Sequence, residues 1–247
     1  MMRLAHLSDT HLDGSEPMAE RTARVMTYLN ELPDPVDAVL VTGDLADHGL
    51  AAEYEQVRKL LTAPVPVLTC PGNHDARGPF QEVLLGERDG DGPINRVQRV
   101  GNALFALCDS TIPGQDEGLL AEETIAWLEG VLERAPGDAP VFVCCHHPPV
   151  NLHSPFIDGI RLGGERRLAD LIARFPQVTA ILCGHAHTPA ATTFAGRPLL
   201  VAPGVASTLR LPWEGYDDVL DYGLPPAIAF HILDDDGRLT THYRVIP

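Results

Sequence analysis

The stretch "TCPGNHDAR", Thr69 to Arg77, decides how the chain is to be read. Residues 65–70 form a short apolar run that reads as a buried strand. Gly72, Asn73, His74 and Asp75 follow it, bringing an amide, an imidazole and a carboxylate that a core would reject. Pro-Gly-Asn is ordinary turn chemistry, so one copy decides nothing. The pattern, however, occurs five times. Residues 4–7 lead into Ser8-Asp9-Thr10-His11, and 38–42 into Gly43-Asp44. Residues 141–145 lead into His146-His147-Pro148-Pro149, and 180–183 into Gly184-His185-Ala186-His187.

Helix-like segments separate these runs. Residues 18–32 place Met18, Val25, Met26, Leu29 and Leu32 on one face at helical spacing. Residues 51–61, 121–134 and 164–175 read the same way; the third carries Ile125, Leu128 and Leu132 inward and acids in its first turn. Alternating strands and helices predict an α/β fold with a mainly parallel sheet. Such sheets place ligand sites beyond the carboxyl ends of their strands. All five clusters sit at such ends, so "GNHD" reads as one wall of a composite site. From Thr192 onward, short apolar runs (198–202, 227–233, 239–246) alternate with Gly, Pro and Asp turns. That texture predicts an antiparallel second sheet on the same core, with Asp234 to Asp236 as a solvated hairpin turn. No linker or repeat interrupts residues 1–247, which read as a single domain.

The 247 residues, 45% hydrophobic and 21% charged, are ordinary for a globular chain able to bury a sizeable core. No apolar run approaches the ~20 residues that span a bilayer, and "MMRLAHLSDT" lacks the apolar segment of a signal peptide. The expectation is a cytoplasmic protein with no membrane partner. Cys70, Cys108, Cys144, Cys145 and Cys183 lie in apolar runs without a C-x-x-C, and read as reduced, buried hydrophobes. A net charge of −16 argues against a nucleic-acid polymer as partner. It also raises the question of how an anionic small molecule would be held.

His11, His74, His146, His185 and His187 fall in the clusters with Asp9, Asp44 and Asn73, and no cluster Ser or Cys sits in a nucleophile setting. Imidazole and carboxylate suit zinc, iron, manganese or nickel. The donors are too many for one tetrahedral ion and suit two ions about 3.5–4 Å apart that share a carboxylate. In an extended segment, residues i and i+2 point the same way, so Asp9-x-His11 and His185-x-His187 would each offer two donors to one cavity.

In this order, D-x-H, G-D, G-N-H-D, H and G-H-x-H resemble the calcineurin-like metallophosphoesterase superfamily. "LAHLSDTHL", "VLVTGDLADHG", "PGNHD", "HHPP" and "CGHAH" are most similar to its class III cyclic-nucleotide and glycerophosphodiester phosphodiesterases. The resemblance implies a four-layer α/β/β/α sandwich with two mixed sheets, and two divalent or trivalent metal ions per chain, manganese, iron or zinc. It implies that Asp9, His11 and His187 bind one ion, that Asn73, His146 and His185 bind the other, and that Asp44 bridges. It places His74 against the substrate phosphate. The implied reaction is hydrolysis of small phosphodiesters, 3′,5′-cyclic AMP first among them, by a metal-bound hydroxide. His74 would protonate the leaving alkoxide or stabilise its charge. Asp75 would orient His74 or serve as a plain turn carboxylate. Two divalent ions outweigh Asp9, Asp44 and a bridging hydroxide by about one positive charge, which answers the charge question locally.

Other residues have blander readings. His147 reads as a brace, His6 as a core residue, and Asp47 and His48 as braces of the Gly43-Asp44 loop. Asp109-Ser110 reads equally as a site brace or a turn, and Arg161, Arg166 and Arg167 as solvent-facing. Trp213 and Tyr216 would stack on a nucleobase or pack at a homodimer interface. Specificity is expected in segments 150–165 and 205–225. A glycerophosphodiesterase, a nucleotide pyrophosphatase or a phosphatase would share every ligand. A non-catalytic interaction scaffold is the remaining alternative; it would be expected to have lost ligands, and none is lost here.

Overall fold

Val25, Met26 and Leu29 recur at helical spacing, and they form one buried stripe along α1 (Glu16–Asn30). The computed structural model describes residues 1–87, 92–215 and 218–247. β1 (Met2–Leu7), α1, β2 (Ala38–Thr42), α2 (Ala51–Leu60) and β3 (Val67–Cys70) follow in the order that the alternation predicts. β4 (Arg96–Val100) and β5 (Ala103–Leu107) come next, then α3 (Glu122–Arg134), β6 (Val141–Cys144), α4 (Glu165–Arg174) and β7 (Val178–Cys183). Two hairpins end the chain, β8 (Ala190–Phe194) with β9 (Arg197–Val201), and β10 (Ala227–Leu233) with β11 (Leu239–Val245).

One sheet runs β11-β10-β1-β2-β3 and the other β8-β9-β7-β6-β5-β4. Strands β1 to β3 are parallel, as are β5, β6, β7 and β9; the flanking strands are antiparallel. Both sheets are therefore mixed. This corrects the expectation that the segment after Thr192 builds the second sheet. That sheet begins at β4, and the two late hairpins divide, one to each sheet. An antiparallel hairpin can extend any open sheet edge, so its alternating pattern fixes which face is buried but not which sheet it joins.

Three apolar cores define four layers. Leu4, Leu40, Leu68, Phe105, Phe142 and Leu182 meet between the sheets. α1 and α2 bury Val25, Met26, Tyr54 and Val57 against the first sheet. α3 and α4 bury Leu128, Leu132, Leu168 and Ile172 against the second. All five cysteines are buried and free. Among the described residues, no helix is long and apolar enough to cross a membrane.

The register brings the strand ends level. Leu7 lies opposite Val41, Thr42 opposite Cys70, Leu107 opposite Cys144, and Cys144 opposite Leu182. Each polar cluster thus leaves its sheet at one common edge. The sheets meet there: Ser8 bridges to Gly204, and the Val205 amide donates to the Ser8 carbonyl at 2.9 Å.

Candidate metal centre

The backbone at this edge is unusual. Among the described residues, seven non-glycine positions have positive φ, and five of them are Asp9, His11, Asp44, His185 and His187. A left-handed turn costs a residue with a Cβ about 1–2 kcal/mol, and such strain concentrates at functional sites. Asp9-x-His11 is therefore not extended, as the i, i+2 argument assumed, and neither is His185-x-His187. In each pair both donors are turned into the site by left-handed residues at strand ends. Parallel hydrogen bonds hold the first pair: Asp9 N to Gly43 O (3.1 Å), His11 N to Asp44 O (3.0 Å) and Leu12 N to Leu45 O (3.0 Å). Close approach does the rest. A Cβ at Gly72 would overlap the Asp44 carboxylate, and one at Gly184 would overlap Ser8 Oγ.

Each imidazole has one nitrogen anchored outward. His146 Nδ1 donates to the Thr42 carbonyl (2.6 Å), and His185 Nε2 donates to the Ile160 carbonyl (3.1 Å). His11 Nδ1 donates to Asp47 Oδ1 (2.8 Å), and His187 Nδ1 pairs with Ser207 Oγ (2.8 Å). In the neutral rings, the second nitrogen of His146 and of His185 is left as a bare lone pair. Those two nitrogens lie 3.1 Å apart, and His11 Nε2 lies 3.2 Å from His187 Nε2. Facing lone pairs repel unless positive charge stands among them. Asn73 Oδ1 adds an acceptor 3.1 Å from His146 Nε2.

Two carboxylates complete the set. Asp44 Oδ2 lies 3.5 Å from His11 Nε2 and 3.2 Å from His146 Nε2, so it reaches both imidazole pairs. Asp9 Oδ2 accepts the His185 amide, while its buried Oδ1 has no hydrogen-bond partner among the described residues. An orphaned buried carboxylate oxygen costs free energy unless a cation sits against it. Burial opposes the charging of His146, yet Asp44 and Asp9 push it up to about 10, so without a metal a proton on Nε2 supplies the positive charge that these donors call for. Burial likewise works against the Asp44 carboxylate, but His146, His11 and His74 hold it well below its ordinary value. Burial and the neighbouring rings of His147 and His146 keep His185 neutral. The donor atoms form overlapping groups, Asp9–His11–His187, Asp9–Asp44–His146, His11–Asp44–His74 and His146–His147–His185, each within 4.8 Å. The residues present fit metal cations, and Asp44 stands within reach of both imidazole pairs.

The model of the calcineurin-like phosphoesterase family matches residues 2–189. The chain belongs to the calcineurin-like phosphoesterases. A glycerophosphodiester phosphodiesterase of Enterobacter lignolyticus is 35% identical over 243 residues, covering 93% of this chain and 86% of that protein. A 3′,5′-cyclic adenosine monophosphate phosphodiesterase of Pseudomonas aeruginosa is 32% identical over 247 residues, covering 96% and 88%. Among solved structures, a dimetal phosphatase from Danio rerio has the same fold, with a TM-score of 0.73 at 15% identity over 100% of this chain and 96% of that one.

Elsewhere in this phosphoesterase site, Asp75 does not orient His74. Its oxygens accept from the amides of Leu45, Ala46 and Gly72 and from Tyr54 Oη, at 2.9–3.1 Å. Asp47 takes the part expected of Asp75: its carbonyl accepts His74 Nδ1 at 2.8 Å, and its carboxylate holds His11. The His74 amide donates to Asp44 Oδ1 at 2.9 Å, which fixes the backbone beneath the ring. His147 lies in a donor group, but both its nitrogens are taken, Nδ1 by Ser110 Oγ and Nε2 by the Asp116 carbonyl. Burial and His146 push it down to about 3, a neutral brace. Asp109 pairs with Arg77 and accepts the Ile94 amide. His6 is a core residue, bonded to His231 and Thr42, and His48 pairs with Glu53. Arg161 pairs with Glu165, and Arg167 donates to the Leu120 carbonyl.

His11, Asp44, Asn73, His185 and His187 floor a cavity of about 400 Å³, while Asp9 and His146 are fully buried. Phe156, Ile157 and Ile160 line it from one of the two segments expected to carry specificity, and Leu209, Leu220 and Tyr222 from the other. Trp213 is 71% exposed and does not line it, and Tyr216 lies outside the described residues. The aromatics on its walls are Phe156 and Tyr222. The sequence reading missed both, together with the braces Ser207 and Ile160; it gave Asp47 to the Gly43-Asp44 loop, whereas Asp47 also holds the rings of His11 and His74.

Proposed function

We propose that this phosphoesterase hydrolyses small phosphodiesters, with 3′,5′-cyclic AMP the first substrate to test, at two metal ions. Asp9, His11 and His187 would hold one, Asn73, His146 and His185 the other, and Asp44 both. One observation carries the reading: imidazole nitrogens anchored from outside turn their lone pairs toward one another around two buried carboxylates. The glycerophosphodiester and cyclic AMP phosphodiesterases similar to this chain support diesters as the class.

When bound, such ions supply positive charge for phosphate oxygens and a water acidic enough to act as nucleophile near neutral pH. The chain's own groups hold and orient. Asp9 and Asp44 anchor the positive charge, and the second nitrogens of the four imidazoles fix where it sits. His74, tethered through Nδ1 to Asp47, lines the cavity and is placed to donate a proton to the leaving oxygen. Manganese, iron or zinc suits the donor set. Five buried free thiols favour a reducing, cytoplasmic setting.

Elemental analysis of active protein should give two ions per chain. Chelation should abolish activity and manganese should restore it. On a panel of cyclic nucleotides, glycerophosphodiesters and monoesters, kcat/KM should favour the diesters. One ion or none removes the two-metal centre. A strong preference for monoesters removes the diesterase reading and leaves the metal centre standing.

Asn73 tests the division of ligands. Asn73→Ala leaves Asp9, His11 and His187 untouched, so metal titration should show one tight site and one loosened about 10–100-fold. Two equally tight sites would reduce Asn73 to a turn residue.

A further inference from the structure

We propose that Phe156 and Tyr222 hold the nucleobase of a cyclic nucleotide, so that this site prefers nucleoside diesters to glycerophosphodiesters. The inference rests on the phosphodiesterase reading and names its substrate class.

The cavity has two characters. Its floor is the donor set, while Met18, Phe156, Ile160, Leu209, Leu220 and Tyr222 make its wall. Phe156 and Tyr222 remain 53% and 58% exposed beside that polar floor. Apolar surface kept wet at the mouth of a site gains free energy when a flat apolar group covers it. A purine offers such a group, and it stacks on aromatic rings whatever its edge pattern. A glycerol unit has no flat face, so it covers less of these rings and gains less from them. About 400 Å³ is the size of a site for one small molecule.

The charges at the rim point the same way. Among the described lining residues there is no Lys or Arg, while Asp13, Asp47 and Asp116 are present. The rim therefore disfavours a second negative charge and leaves acceptors for ribose hydroxyls and an exocyclic amine. A quaternary ammonium headgroup would also be drawn to carboxylates and aromatic rings. Ile160, Leu209 and Leu220, however, would strip its water and return no charge, so the base is favoured.

Both aromatics stand on anchored chain. Phe156 belongs to the short helix Pro155–Gly159, and the next residue, Ile160, accepts the His185 Nε2 proton at 3.1 Å. Tyr222 follows the strand pair Thr208–Leu209 and Leu220–Asp221, which the Arg210–Asp221 ion pair braces at 2.7 Å. Arg21, on α1, donates to the carbonyls of Val205, Tyr222 and Leu224 at 2.8, 3.2 and 2.7 Å, tying three loop positions to one helix. Walls held in place before binding lose little entropy when a base arrives.

The test uses the metal-loaded protein with Phe156→Ala, Tyr222→Ala and, as a surface control, Trp213→Ala. Both aromatics are exposed, so truncation should leave the fold intact. Adenosine has no phosphate and reads the wall independently of hydrolysis; calorimetry should detect its binding to the parent protein and a roughly 5–100-fold weakening in each aromatic variant. The kcat/KM ratio of 3′,5′-cyclic AMP to glycerophosphoglycerol should fall by a similar factor, and Trp213→Ala should change neither readout. The proposal is overturned if adenosine does not bind the parent, or if the ratio is unmoved. It is also overturned if the variants lose glycerophosphocholine turnover selectively, which would make the wall a cation cage. If the parent cleaves no diester at all, the phosphodiesterase reading fails, while adenosine binding still decides the base site on its own.

Discussion

Asp75→Ala is expected to destabilise the metal-free protein by about 2–4 kcal/mol at neutral pH, and Asp75→Asn by roughly half as much. Alanine would leave the buried amides of Leu45, Ala46 and Gly72 and the Tyr54 hydroxyl without their acceptor. Each such orphan costs about 1–3 kcal/mol, partly offset because a buried charge also disappears. Asparagine can set its oxygen where Oδ2 stood, satisfying Leu45 and Gly72, and Tyr54 can turn its hydroxyl; the Ala46 amide alone would then face an NH₂ group. For a chain of this length the alanine variant should melt about 5–15 °C lower. Activity should return with stability in Asp75→Asn, because Asp75 acts by shaping the loop that carries Asp44, Asn73 and His74. An Asp75→Asn protein as stable as the parent but as inactive as Asp75→Ala would make the carboxylate a participant in the chemistry instead.

The same pair of proteins gives a pH dependence with a definite sign. Burial and Asp44 push the Asp75 carboxyl up to about 6, against the pull of the three amides. A group whose folded pKa is raised stabilises most below its ordinary value of 3.8 and loses that contribution as pH rises through about 6. The stability gap between parent and Asp75→Ala should therefore narrow from pH 4 to pH 6. A gap that widens over this range would contradict the burial argument. Measuring it on chelated protein keeps metal affinity out of the comparison.

What was legible in the sequence follows the same physics. Short apolar runs that each end in a polar cluster, with helical stripes between, specify parallel strands whose carboxyl ends share an edge, and the structure brings every predicted donor there. The sheet membership of β8 to β11 was not legible, because hairpin periodicity encodes a buried face and no particular neighbour. Nor was the left-handed backbone of Asp9, His11, Asp44, His185 and His187. The i, i+2 spacing suggested extended strands, whereas convergence comes from strained turns. The braces were hidden for another reason. Thr42 and Ile160 act through carbonyls that any residue would supply, and Ser207 lies twenty residues from the His187 ring it holds. Asp75 stands beside His74 in sequence, which invited a partnership, but the turn aims its carboxylate back into the loop and leaves Asp47 next to the ring. Trp213 was the conspicuous aromatic by composition; the fold puts Phe156 and Tyr222 at the cavity instead.

His74→Ala is expected to lower kcat on alkyl diesters roughly 10²–10⁴-fold while both metals stay bound. The His74 ring takes part in the cavity lining and is tethered through one nitrogen only, Nδ1 to the Asp47 carbonyl at 2.8 Å; Nε2 makes no hydrogen bond among the described residues. With Nδ1 held by the Asp47 carbonyl and the Asp47 carboxylate 3.5 Å away, Nε2 is the nitrogen that can deliver a proton to an oxygen as it leaves phosphorus. The worth of that proton depends on how basic the departing oxygen is. The alkoxide released from a cyclic nucleotide or a glycerophosphodiester is strongly basic and needs a donor. A nitrophenolate carries its own charge and needs little help. The loss should thus be clearly smaller on bis(p-nitrophenyl) phosphate than on 3′,5′-cyclic AMP. Two conditions make the comparison meaningful: metal content must match the parent, and chemistry must limit the rate on both substrates. The ring also packs edge-on against His11, with centroids 4.6 Å apart, so its removal can disturb a neighbouring donor; His74→Phe keeps that packing without the proton and should show the same leaving-group dependence. Equal losses on the two substrates would assign His74 to holding the phosphate, and the proton donor would have to be sought elsewhere in the cavity.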